Sequence, residues 1–226
     1  MTRAVQQPTA EPDVAEATSD LENRRVKSVA TSSPELSARL AERVVRGDRE
    51  ALTELFERTH RRVWAYLRAL GAPAPLAEDV SQRTFVRVLR FHHTFRTPAS
   101  GDDAAVSRAL VAWVLRIARN ELFNDRRSAA VRRESSLEQV AEGARDDRLH
   151  GRTETQQTLR RLLQRLPIDQ REAVVLLRLR ELTATEAAEV LGAEPGTVRV
   201  RAHRGLRALR RMAGVLDAQR GREELP

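Results

Sequence analysis

Between Gly196 and Arg211 the chain reads GTVRVRAHRGLRALRR, with Arg199, Arg201, Arg204, Arg207, Arg210 and Arg211 and no acidic residue among them. Guanidinium groups are permanent cations with fork-shaped donors, suited to phosphate oxygens and to the O6/N7 edge of guanine. The same density would also serve an ordinary solvated helix face. At about 100° per residue, Val198, Ala202, Gly205, Leu206 and Leu209 gather on one side. Arg199, Val200, His203, Arg204, Arg207, Arg210 and Arg211 point away, and Arg201 lies on the flank. A solvated helix usually mixes charge signs and gains intrahelical pairs. This outer face is only cationic, so its guanidiniums repel one another until an anion neutralises them. In a nucleic-acid reader, Arg199 and Arg204 are the candidates for bidentate contact to guanine. Val200 and His203 are placed for base edges or a thymine methyl, and Thr197, Arg201 and Arg207 for phosphates. Arg210 and Arg211, late in the helix, add electrostatic attraction.

The bulk numbers point the same way. Net charge is +8 with a sequence pI of about 11.2, which favours a polyanionic partner. The absence of cysteine excludes disulfides and thiolate zinc sites within the chain. His60, His92, His93, His150 and His203 form no ligand pattern with carboxylates. With no nucleophile, carboxylate pair, phosphate-cradling glycine loop or metal cluster in sight, no enzyme activity, cofactor or metal is expected. No apolar run approaches the roughly 18 residues of a membrane span, and the N-terminus lacks a secretory hydrophobic block. A cytoplasmic protein without membrane contact is expected.

The elements that must carry these residues read as helices throughout, so the expected fold is all-α with two small helical domains joined by a flexible linker. Residues 1–33 are polar and read as a disordered tail. A four-helix domain is expected over 34–130. Ser33 and Pro34 open its first helix, Gly47 closes it, and Asp48 caps the second. The third runs from about Leu76 to Phe91, and the fourth spans RALVAWVLRIARNELFNDRRS. Trp113 could stack on a base, but its spacing with Val114 and Ile117 favours the core. Residues 131–152 form an acidic linker. The second domain, 153–212, holds a helix stopped by Pro167, a helix over DQREAVVLLRLREL, and a short helix opened by Thr183 and Glu186 at capping-box spacing. Gly192 ends the short helix, AEP turns, and the basic helix follows, which is a helix-turn-helix order. Residues 213–226 read as a C-terminal tail.

Three motifs, in this order and spacing, resemble the bacterial RNA polymerase sigma factors of the extracytoplasmic-function group. The first is AEDVSQRTFVRVLR, Ala77 to Arg90, where Asp79, Gln82 and Phe85 match a helix that docks on the clamp of the core polymerase. Phe85 could equally be core, and Arg83 stands where an acidic residue is common. The second, VAWVLRIARNELFNDRRS, resembles the helix that captures a base flipped out of the melted −10 element. The resemblance implies contacts there from Arg116, Arg119, Asn120, Asn124, Arg126 and Arg127, with Asn120 reading a base and the arginines holding phosphates. The third is the helix-turn-helix, which resembles the −35 reader. Ala184, Ala187, Ala202 and Gly205 depart from the residues frequent there. In the family the linker threads toward the active-site cleft, where Glu134, Glu138, Glu142, Asp146 and Asp147 would mimic RNA charge; a plain solvated tether is the other reading.

What this implies is a transcription initiation factor whose partners are core RNA polymerase and promoter DNA, both as duplex and as melted nontemplate strand. An anti-sigma factor is a further partner implied by the family. The rivals are a stand-alone helix-turn-helix regulator using only residues 153–212, and an adaptor or RNA-binding bundle with no promoter preference.

Overall fold

A computed structural model of the chain describes residues 36–98, 102–135 and 154–223, all within one compact unit, Glu35–Pro226. Every regular element among the described residues is helical. Ser33, Pro34, the rest of the N-terminal tail, and Glu138, Glu142, Asp146 and Asp147 lie outside the described residues.

The first helix among the described residues, α1 (Ala38–Val45), is capped by Ser37, whose hydroxyl accepts from the Leu40 amide at 3.2 Å, so it does not run on from Pro34. Leu36, just before the cap, is buried and packs the chain entry onto the core. Gly47 turns the chain at φ 78° with the His92 ring against it, where a Cβ would stand 2.8 Å from the ring. The second helix, α2 (Arg49–Ala69), is capped by Asp48, which accepts from the Glu50 and Ala51 amides at 3.0 and 3.2 Å. Arg43 donates to the same carboxylate through Nε and Nη2 at 2.8 and 3.1 Å.

Those bonds, the Arg43 one foremost, pull the Asp48 carboxyl down to about 2. A group lowered in the folded state stabilises above the ordinary carboxylate pKa of about 4, and its contribution is lost as pH falls toward 2. Asp48→Asn keeps a capping oxygen but removes the charge. The variant is therefore expected to lose less stability than the parent between pH 4 and pH 2, measured by denaturant midpoints at each pH.

Pro73 precedes α3 (Ala74–Phe91), a 3₁₀ turn covers His92–Thr94, and α4 runs from Asp103 to Ser135, longer than the sequence suggested at both ends. Leu55, Val63, Leu67, Leu70, Val80, Val88, Leu110, Val114, Leu115 and Leu122 fill the core between these helices. Trp113 is in that core, edge-on to Phe95.

Then come α5 (Glu154–Gln164) and α6 (Ile168–Val174). The expected single helix over DQREAVVLLRLREL is not α-helical throughout. It widens at Val175–Leu179 into a π-helical turn, and Glu181 takes a left-handed φ of 56° while the Leu182 amide reaches back to the Leu176 carbonyl at 3.2 Å. α7 (Ala184–Leu191) opens on the expected capping box, the Thr183 amide donating to Glu186 at 2.7 Å and the Glu186 amide to the Thr183 hydroxyl at 3.2 Å. Gly192 closes it in the left-handed region at φ 62°. α8 starts on Pro195 as its first residue and continues to Glu223, into the stretch read as a tail. No described helix is long and apolar enough to cross a membrane.

Candidate nucleic-acid interface

α8 is seated by its inner face. Val198, Ala202 and Gly205 are buried, and at Gly205 the helix approaches α6 so closely that a Cβ would lie 2.7 Å from Val174 Cγ2 and 3.2 Å from the Gln170 carbonyl. The opposite face is therefore fixed outward. Thr197, Arg199, Val200, His203, Arg204 and Arg207 are all exposed, as are Arg210 and Arg211. Arg201 on the flank is half-buried and holds Asp169 of α6 at 3.5 Å. Among the described residues no carboxylate pairs with Arg199, Arg204 or Arg207, so their donors are available to a ligand.

The candidates on α4 divide into two stripes. Arg116, Asn120, Asn124 and Arg127, at spacings of four, four and three, are exposed. Arg119 and Arg126 lie on an adjacent stripe with Phe123 between them, their guanidiniums 4.6 and 5.6 Å from its ring centre. Both are already engaged. Arg119 makes a two-pronged pair with Glu172 of α6, Nε to Oε1 at 2.6 Å and Nη2 to Oε2 at 3.1 Å. Burial opposes the Arg119 charge, but the hydrogen bonds to Glu172 outweigh it and hold its pKa above the ordinary arginine value. Arg126 donates to the Leu70 carbonyl at 2.9 Å, and Arg171 of α6 donates to the same oxygen at 3.1 Å. That oxygen belongs to the residue closing the α2 C-terminus, which attracts cations. Further along, Arg108 of α4 holds Glu186 of α7 at 3.2 Å. Glu172 is buried, and sequence reasoning missed it because its partner is remote along the chain.

On α3, Asp79 and Gln82 are exposed, while Phe85 is only 7% exposed and meets the Phe56 ring edge-on at 4.8 Å. Phe85 thus supports the surface from beneath instead of presenting its ring. The apolar residues beside Asp79 and Gln82 on the outside are Val86 and Leu89, 49% and 56% exposed. Their places at four and seven residues past Gln82 put them on its face, a signal already present in the sequence. Arg83 ties this helix to its neighbour, reaching Asp79 and, on α4, Asp125, each at 3.0 Å.

A helix-turn-helix with a cationic outer face, joined to a bundle carrying a second polar, cationic stripe, defines a DNA-binding protein of transcription. The sigma-70 region 2 model matches residues 55–132 and the sigma-70 region 4 model residues 156–209. The ECF RNA polymerase sigma factor SigM of Mycobacterium tuberculosis is 34% identical over 173 residues, covering 76% of this chain and 82% of that one. RNA polymerase sigma factor CarQ of Myxococcus xanthus is 31% identical, covering 79% and 98%. In fold, the chain is similar to the sigma factor RpoE solved with the anti-sigma factor NepR from Bartonella quintana. That match has a TM-score of 0.59 at 22% identity and covers 72% of this chain and 96% of that one. CnrH, solved with the cytosolic domain of CnrY, gives a TM-score of 0.54 at 24% identity, covering 79% and 96%. The chain belongs to the extracytoplasmic-function group of the sigma-70 family. It is a transcription initiation factor whose partners are core RNA polymerase and promoter DNA. A regulator working through residues 153–212 alone would leave the region 2 match unexplained.

Proposed function

We propose that the three surfaces divide the work of initiation. α8 enters the major groove of the −35 duplex, with Arg199 and Arg204 on guanine edges, Val200 and His203 on neighbouring bases, and Thr197, Arg201 and Arg207 on phosphates. The exposed stripe of α4, Arg116, Asn120, Asn124 and Arg127, takes the melted nontemplate strand of the −10 element, where Asn120 reads an extruded base. Arg119 and Arg126 reach that strand only after leaving their present partners. Asp79 and Gln82, with Val86 and Leu89 beside them and Phe85 beneath, dock on the core polymerase. The linker over residues 131–152 tethers the two DNA-binding domains, 34–130 and 153–212. The protein acts in the cytoplasm with the polymerase, supplies no catalytic group itself, and is open to control by an anti-sigma protein, as RpoE and CnrH are seen with NepR and CnrY.

The observation that carries this reading is the outward, carboxylate-free set Arg199, Arg204 and Arg207 on a helix rigidly seated at Gly205. Run-off transcription with purified core polymerase, followed by sequencing of the transcript starts, tests it. Arg199→Ala is expected to relax discrimination at one upstream base pair by about 1–3 kcal/mol while leaving the other positions unchanged. Equal weakening on every sequence would remove Arg199 from base reading.

A further inference from the structure

Arg83 belongs neither to the docking surface nor to the strand stripe, yet it touches the helices of both. α3 and α4 are stitched by Arg83 with Asp125 and by Arg87 with Glu121, the arginines on α3 and the carboxylates on α4. The two rungs lie one helical turn apart, and the Arg83 rung is branched. Its Nη2 stands 3.0 Å from Asp125 Oδ1 and also 3.0 Å from Asp79 Oδ2, four residues back on its own helix. Arg83 Nε is buried without a partner, so the Nη2 end makes both contacts. The two carboxylates differ in their hold. Asp125 accepts a hydrogen bond and its side chain is 23% exposed, whereas Asp79 is held as an ion pair and its side chain is 61% exposed. At about 100° per residue, Asp79 falls between Val86 and Arg83 around α3, at the edge of the docking face next to the bridge. Two carboxylates on one guanidinium leave a negative charge in surplus. Asp79 can therefore pass to another cation without stranding Arg83, because Asp125 still holds it. Were Asp79 the sole partner, the arriving cation would strip Arg83 of its counter-charge and be repelled by it at short range.

We propose that Asp125 is a positioning residue for polymerase docking: by keeping hold of Arg83 it leaves Asp79 free to pair with a cationic side chain of the core polymerase. Docking then exchanges the ion pair of Arg83 with Asp79 for one across the interface, and Arg83 settles wholly on Asp125. This rests on the docking reading of Asp79 above, and it brings a residue of the strand-reading helix α4 to bear on a surface otherwise built on α3.

The test is titration of purified core polymerase into the fluorescein-labelled full-length protein, read by anisotropy. Asp125→Asn leaves Asp79 as the one carboxylate beside Arg83 and is expected to weaken core binding about fivefold, the upper end for a partly exposed ion pair. Adding Arg83→Gln is expected to restore the parental affinity by freeing Asp79, whereas a contact that merely braced α3 on α4 would be weakened further. The Asp125→Asn deficit should shrink between about 0.1 M and about 1 M salt, as the Debye length falls from about 10 Å to about 3 Å. Arg87→Gln breaks the other rung without touching Asp79 and is expected to leave core affinity unchanged. Arg83→Gln alone carries the test should Asp125→Asn fail to fold, and it is expected to bind core at least as tightly as the parent. Parental affinity in folded Asp125→Asn, a double variant weaker than the single, an equal loss with Arg87→Gln, or weakened binding by Arg83→Gln overturns the positioning role. Asp79→Asn separates this from the docking reading, since it is expected to weaken core binding at least as much as Asp125→Asn. If it leaves core affinity unchanged, Asp79 is no docking residue and that reading fails, taking the role of Asp125 with it. If it weakens binding while Asp125→Asn does not, the role of Asp125 alone fails.

Discussion

Gly205→Val is expected to destabilise the protein by about 3 kcal/mol, at the upper end of ordinary overpacking. A first side-chain carbon at this position would stand 2.7 Å from Val174 Cγ2 and 3.2 Å from the Gln170 backbone oxygen. The valine methyl can rotate only within a packed core, and the carbonyl belongs to the helix itself, so α8 must move off α6. A glycine in a helix interior is otherwise unfavourable by about 1 kcal/mol relative to alanine, so the sign of the effect is decided by this clash. Gly214, in the same helix with nothing within 4 Å, is the control: Gly214→Ala is expected to be neutral or slightly stabilising. Thermal unfolding checks both. At about 2–4 °C per kcal/mol for a unit of this size, Gly205→Val should lower Tm by about 6–12 °C. An unchanged Tm would mean that the two helices are not in this close register.

The docking surface gives the largest expected functional effect. Val86→Asp with Leu89→Asp places two carboxylates on the apolar part of the proposed polymerase face. Both positions are about half exposed in the free protein, so the fold should tolerate them. Central apolar residues of an interface contribute about 2–4 kcal/mol each when disrupted. Each substitution alone should lower affinity for core polymerase by between about thirtyfold and a thousandfold, and the pair by about a thousandfold or more, with run-off transcription falling alongside. Duplex binding by the free protein should be unaffected. Loss of duplex binding in parallel would indicate misfolding, and full transcription would place polymerase docking elsewhere.

Local chemistry made much of this molecule legible before any coordinates. Thr183, Glu186 and Gly192 each satisfy or end a helix by a rule that operates within a few residues, so α7 could be placed to within a residue at both ends, whereas Pro195, read as part of the turn, opens α8. The inner face of α8 followed from periodicity alone, since only one side of the helix is free of charge. Trp113 went to the core for the same reason. The start of α1 was misplaced because Ser33–Pro34 and Ser37 are competing start signals, and the pairing of Ala38 with Asp103 at 2.6 Å, which favours the latter, comes from a distant helix. The π-helical turn at Val175–Leu179 had no marker, as neither glycine nor proline interrupts that stretch. Phe85 stood equally for docking and for the core in the sequence, and its burial, with the Phe56 ring of α2 edge-on to it, decides for the inside. The division of the α4 cations was beyond sequence reasoning, because Glu172 is 53 residues from Arg119.

Seating α8 by Val198, Ala202 and Gly205, with Leu206, Leu209 and Met212 packed against the core, leaves Arg199, Val200, His203, Arg204 and Arg207 on the exposed face. Such a helix behaves as a cassette. Its readout can be rewritten residue by residue, by drift after gene duplication or by randomisation in the laboratory, without each new combination first having to survive as a folded protein.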